Sequence, residues 1–110
     1  VPIAIRVRDE RFRDIAQLQD VEDTLPGEPR VLLESHLPLG RADRYPLLAH
    51  IDPVGDTCFN RGQTVVLMSE LRRWADETGN ADVRAICGAL TVLVATHMRR
   101  PHTYLWLLGD

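Results

Sequence analysis

The sequence predicts a two-layer α+β domain: about four strands, with two long C-terminal helices packed on the sheet. Three observations carry that expectation. Ile3, Ile5 and Val7 alternate with Ala4, Arg6 and Arg8, the two-residue period of a strand with one buried face. Between Asn60 and Pro101, apolar residues recur at three- and four-residue steps through two successive runs, as in helices packed by one side. Thr103 to Leu108 (TYLWLL) is β-prone and nearly continuously apolar, which predicts a strand buried on both faces. At 110 residues the chain is expected to form a single domain, 1–110, long enough to bury a core and too short for two.

Each element has its own warrant. Asp9 stands where a helix cap would stand, and Phe12, Ile15, Ala16 and Gln19 would share a helical face, so a short helix is expected after the first strand. Leu25-Pro26-Gly27-Glu28-Pro29 is a turn by proline and glycine chemistry, and Val31-Leu32-Leu33 reads as a second strand. Residues 35–46 hold two prolines, a glycine and mixed charge, the composition of a surface loop. Leu47 to Ile51 is expected to be a third strand, closed by Asp52-Pro53.

The second half is more regular. Asn60 followed by Gln63 matches a capping box, after which a helix runs through Val65, Met68, Leu71, Trp74 and Ala75 to a stop at Gly79. Val66 and Leu67 widen its apolar side, so packing on more than one face is expected. A second helix starts near Asn80 and aligns Val83, Ile86, Cys87, Leu90, Leu93, Val94 and His97, and Pro101 ends it.

Composition narrows the function classes. Hydrophobic residues at 45% and charged residues at 26% are ordinary for a globular chain and exclude global disorder. Thirteen basic residues, all arginine, against sixteen acidic ones give a net charge of -3, which argues against a general nucleic-acid binder. Two cysteines, Cys58 and Cys87, are too few for a disulfide framework. The first dozen residues are charged rather than apolar, and no apolar run approaches the roughly 20 residues of a membrane span, so a soluble cytoplasmic protein is expected. Walker, dinucleotide-binding, zinc-ribbon and nucleophile-elbow patterns are absent from the sequence.

Polar chemistry concentrates in residues 50–61. His50 and Asp52, with Asp56 nearby, offer nitrogen and oxygen ligands suited to a divalent ion, although H-x-D also arises from plain strand alternation. Cys58, just before a helix start, would feel the positive end of the dipole and carry a lowered pKa, with His50 as base. The simpler account is structural: Gly55-Asp56 makes a turn while Asn60 and Gln63 cap a helix. That account omits Arg61, whose charge opposes the dipole in the first helical turn.

The segments Asp52-Pro53-Val54-Gly55-Asp56-Thr57-Cys58-Phe59-Asn60-Arg61 and Pro101-His102-Thr103-Tyr104-Leu105-Trp106-Leu107-Leu108-Gly109-Asp110 resemble parts of small hypothetical proteins of high-GC actinobacteria. In those, tyrosine often replaces Val54 and leucine often replaces Gly62, departures that leave the turn and cap chemistry intact. The resemblance covers about the last sixty residues and implies a bacterial cytoplasmic origin. It implies no mechanism.

The function expected from the residues is that of a small non-enzymatic protein-binding module, an immunity-type inhibitor or accessory regulator, without cofactor or metal. Arg41, Arg44, Tyr45 and Arg61 would anchor the partner on the 35–46 loop and the 52–61 turn. Self-association is the nearest variant. The alternative is a small metal- or thiol-dependent enzyme built on His50, Asp52, Asp56 and Cys58.

Overall fold

The alternation at Ile3, Ile5 and Val7 builds strand β1 (Ala4–Asp9), with Ile5 and Val7 buried and Ala4, Arg6 and Arg8 on the opposite face. The structure, a computed structural model, describes residues 3–18 and 36–109. Within them follow β2 (Asp14–Gln17), a 3-10 turn at Leu48–His50, β3 (Asp56–Phe59), α1 (Arg61–Glu77), α2 (Ala81–His97) and β4 (Thr103–Leu108). The strands form one antiparallel sheet in the order β2-β1-β4-β3. The two six-residue strands lie at the centre and the two four-residue strands at the edges.

One face of the sheet is covered by both helices, α1 against β3 and β4, α2 against β1 and β2. Ile5, Val7, Ala16, Phe59, Leu105 and Leu107 meet Leu67, Leu71 and Trp74 of α1 and Val83, Ile86, Leu90 and Leu93 of α2 in a single core. This is the expected two-layer α+β arrangement. The turn at 25–29 and the strand at 31–33 lie outside the described residues.

Both helices begin at the expected caps. Asn60 Oδ1 accepts from Gln63 N at 2.8 Å, and Gln63 Oε1 accepts from Asn60 N at 2.9 Å. Asn80 Oδ1 accepts from Asp82 N and Val83 N, so a three-residue connection reverses the chain. Helix α1 ends at Glu77, with Thr78 N donating to the Trp74 carbonyl, and α2 ends at His97, short of Pro101. Gly88 sits exposed in the middle of α2, and a Cβ there would meet nothing within 4 Å. Gly88→Ala is therefore expected to stabilise the fold by about 0.5–1 kcal/mol, because alanine has less backbone entropy to lose. An unchanged or lowered urea midpoint would contradict this.

Four expectations are corrected. No helix follows Asp9: residues 14–17 are β2, in a hairpin with β1. Asp9 caps a turn instead, its carboxylate accepting from Arg11 N at 2.9 Å and Arg13 N at 3.0 Å. The side chain that suits a helix cap suits this turn equally. Leu47 to Ile51 is not a strand, because the buried Glu70 carboxylate accepts from Leu47 N and Leu48 N at 3.0 Å and starts a 3-10 turn there. The edge strand is β3, where Thr57 and Phe59 point inward and Asp56 and Cys58 outward. Strand β4 is buried fully on one face only, since the sheet has no second helical layer among the described residues. On α1, Val65 and Val66 are exposed, so that helix packs by one side.

Candidate functional site

The 50–61 segment folds as a 3-10 end, a tight turn and an edge strand. Asp52 holds the turn from both sides: its carboxylate accepts from Val54 N, and its own N–H donates to Thr57 Oγ1, each at 3.0 Å. Gly109 N donates to the Gly55 carbonyl at 2.7 Å, which ties the turn to the end of β4. A Cβ on Gly109 would lie 2.4 Å from that oxygen, so only glycine permits this approach.

His50, Asp52, Asp56, Thr57 and Cys58 line one cleft of about 420 Å³. The fold thus gathers all four residues of the enzyme alternative, although His50 and Asp52 do not lie on a strand. Among the described residues, no group of three or more His, Cys, Asp or Glu side chains could hold a metal ion. Cys58 does not behave as the dipole argument expects: partial burial pushes its thiol pKa up. It lies on β3, two residues before the Asn60 cap, and its side chain is on the sheet face opposite the helices. Cys87 is buried within α2, and desolvation there raises its thiol pKa to about 12.

The four arginine and tyrosine anchors separate. Arg41 and Arg44 are exposed, but Arg44 Nε lies 2.6 Å from Glu77 Oε1 and its Nη2 donates to the same oxygen. Tyr45 is a correction: it is 4% exposed, its hydroxyl donates to Glu77 Oε2 at 2.9 Å, and it has little surface left for a partner. Arg73 Nη1 donates to the Arg44 carbonyl at 2.7 Å, so this loop is pinned to α1. Arg61 Nε donates to the Met98 carbonyl at 3.1 Å, linking the start of α1 to the end of α2. Arg61 therefore has an internal acceptor rather than an unanswered charge.

The loop pin has a pH signature. The Arg44 guanidinium, aided by the Tyr45 hydroxyl, holds the Glu77 carboxyl below its ordinary value of 4.5 against an opposing desolvation effect. A lowered folded pKa contributes stability that is fully present above the unfolded value and is lost as pH falls through the folded value. Wild type is therefore expected to lose part of its stability below about pH 4.5, and Glu77→Gln to flatten that part of the pH–stability curve. Parallel curves for the two proteins would refute the assignment.

A different surface carries the unexplained features. Cross-strand register aligns Gln17, Arg6, Trp106 and Cys58 in one row over all four strands, on the face opposite the helices. Tyr104 lies on the same face opposite Arg8, and Leu108 opposite Ala4 and Asp56. Arg8 Nε donates to Asp14 at 2.7 Å and Arg6 lies 4.0 Å from the same carboxylate, so both arginines engage the β2 side. Over this face stands Phe12 of the β1–β2 hairpin, 66% exposed, its ring centroid 5.8 Å from that of Trp106 and tilted by 59°.

Phe12 holds φ at 61°, as does His102 in the connection to β4. For a bulky side chain this left-handed conformation costs on the order of 1–2 kcal/mol. The two strained loops meet at one end of the sheet, where His102 Nδ1 lies 3.6 Å from Glu10 Oε2. Asp9, Glu10, Phe12, Cys58, Tyr104 and Trp106 enclose a cleft of about 270 Å³. Backbone donors from Arg13 and Arg11 and the Arg13 guanidinium, against partial desolvation, keep the Asp9 carboxyl below its ordinary range. It is charged at neutral pH.

Sequence reasoning assigned Phe12 to a helix and read Thr103 to Leu108 as a strand buried on both faces, and so missed this surface. The available signal was an aromatic residue between two arginines in Arg11-Phe12-Arg13, followed by the period-two pair Ala16 and Leu18. No protein-family model, no curated protein and no solved structure matches the chain.

Proposed function

We propose that this chain is a small protein-binding module, of the immunity-inhibitor or accessory-regulator kind, that contacts its partner through the open face of the sheet at the Phe12 end. A bacterial cytoplasmic setting fits the resemblance noted in its C-terminal segments. The observation that supports this reading most is Phe12 itself: a largely exposed aromatic ring held by an unfavourable backbone conformation. Strain of this kind persists where a fixed side-chain position is useful, and aromatic residues are over-represented among interface anchors. No helix among the described residues is long and apolar enough to cross a membrane. Arg6 and Arg8 are engaged by Asp14, which weakens any phosphate-binding role for this face.

The variant that tests the reading is Phe12→Gly. Glycine relieves the left-handed strain, worth about 1–2 kcal/mol, and gives up a ring contact worth about 0.5–1.5 kcal/mol, so the fold should survive nearly unchanged. Affinity capture from bacterial lysate with wild type and the variant should then differ by one stoichiometric protein. If sedimentation shows a wild-type dimer that Phe12→Gly disrupts, the partner is a second copy. Identical captures, together with identical sedimentation, would remove the open face from consideration. The thiol-enzyme alternative draws on the shared cleft of His50 and Cys58, and alkylation of Cys58 faster than free cysteine would revive it.

A further inference from the structure

The open face carries a finer specificity than general stickiness. The chain has six aromatic residues, and three of them, Phe12, Tyr104 and Trp106, line the single cleft of about 270 Å³. Phe12 and Trp106 meet tilted by 59° rather than in a closed stack. Tyr104 extends that pair along β4, two residues from Trp106 on the same face. The remaining lining is Asp9, Glu10 and Cys58. Arg13 Nε already donates to Asp9 Oδ2 at 2.8 Å, which leaves exposed Glu10, 3.6 Å from His102, as the carboxylate with capacity for a further cation. Of the strand arginines, Arg8 Nε donates to Asp14 at 2.7 Å and Arg6 lies 4.0 Å from the same carboxylate.

Aromatic rings with an exposed carboxylate, Glu10, at their rim attract organic cations, because the ring quadrupole and the carboxylate charge act in the same direction. The volume narrows the choice of occupant. Pockets that enclose a small molecule run to about 300–1,000 Å³, so this cleft suits one side chain better than a cofactor. Against a flat ring face, a planar and weakly hydrated guanidinium fits better than a compact, strongly hydrated ammonium. We infer that the cleft formed by Phe12, Tyr104, Trp106, Asp9 and Glu10 receives an arginine side chain of the protein partner. This assignment rests on the protein-binding reading and names the chemistry of its central contact.

The test titrates the full chain with N-acetyl-arginine amide at constant ionic strength, following the Trp106 indole N–H by NMR. Trp74→Phe identifies which indole resonance belongs to Trp106. The expected result is saturable movement of that resonance at roughly millimolar dissociation constant. N-acetyl-citrulline amide, the same shape without the charge, should bind at least about tenfold more weakly. Glu10→Gln, an exposed change, should weaken arginine binding about threefold or more, and Phe12→Gly should abolish it. Equal binding of citrulline overturns the inference, as does no movement of the Trp106 resonance up to about 100 mM probe. If tetramethylammonium binds tenfold more tightly than the arginine probe, the occupant is a quaternary ammonium group and the arginine assignment fails. Loss of the arginine site with capture still dependent on Phe12 would refute the inference alone. Arginine binding with neither protein capture nor a Phe12-dependent dimer would refute the protein-binding reading alone.

Discussion

Glu70→Ala is expected to lower stability by about 3–5 kcal/mol, a large share of the 5–15 kcal/mol that holds a typical domain together. Glu70 is 2% exposed and sits among Leu67, Leu71 and Trp74 on the inner side of α1. Its carboxylate accepts from Leu47 N at 3.0 and 3.1 Å and from Leu48 N at 3.0 Å. Alanine would leave the part-buried Leu47 amide and the buried Leu48 amide without their acceptor. Each orphaned buried donor costs about 1–3 kcal/mol. Glu70→Gln keeps an acceptor oxygen and should lose less than half as much. The check is the thermal midpoint, expected to fall by about 12 °C or more for alanine at about 4–8 °C per kcal/mol. A drop under about 4 °C would mean that the 3-10 turn holds its place without the carboxylate.

Phe59→Ala should be comparably severe, at about 3–5 kcal/mol, for a different reason. Strand β3 is four residues long and, among the described residues, pairs with β4 on one side only. Of its inward residues, Phe59 is a large apolar side chain at 2% exposure and Thr57 is small. Removing the ring opens a cavity directly before Asn60, where the strand hands over to the capped start of α1. Amide hydrogen exchange should therefore accelerate through residues 56–63 before it does in β1 and β4. Uniform acceleration across the whole sheet would indicate that the edge strand does not open separately.

These two residues mark the limit of what is legible in the sequence. Phe59 was readable as a residue preceding a helix cap, and the cap at Asn60 and Gln63 formed as expected. Its strand was hidden, because a four-residue edge strand shows only two inward positions, Thr57 and Phe59. Glu70 looks out of place in the helical stripe Leu67, Leu71, Trp74, and that misfit is a sequence signal for a buried acceptor. What it accepts from was not readable, since its partners lie 22 and 23 residues away. The open face was half legible: Tyr104, Trp106 and Leu108 alternate with Leu105 and Leu107, yet a continuous apolar run reads equally as a strand covered on both sides.

The sequence by itself determined the elements governed by near neighbours: the alternation of β1, the two helices with their asparagine caps, the strand at 103–108, and hence the α+β class. Capping and periodicity act over three or four residues, so one sequence window contains both partners of each interaction. The tertiary structure decided whether Asp9 caps a helix or a turn and whether Leu47 to Ile51 extends or coils. It also decided which side of β4 stays open and whether Arg44 and Tyr45 face solvent or Glu77. Those outcomes depend on pairings between residues far apart in the chain, such as Glu70 with Leu48 and Phe12 with Trp106. Their geometry exists only once the sheet has closed around the core.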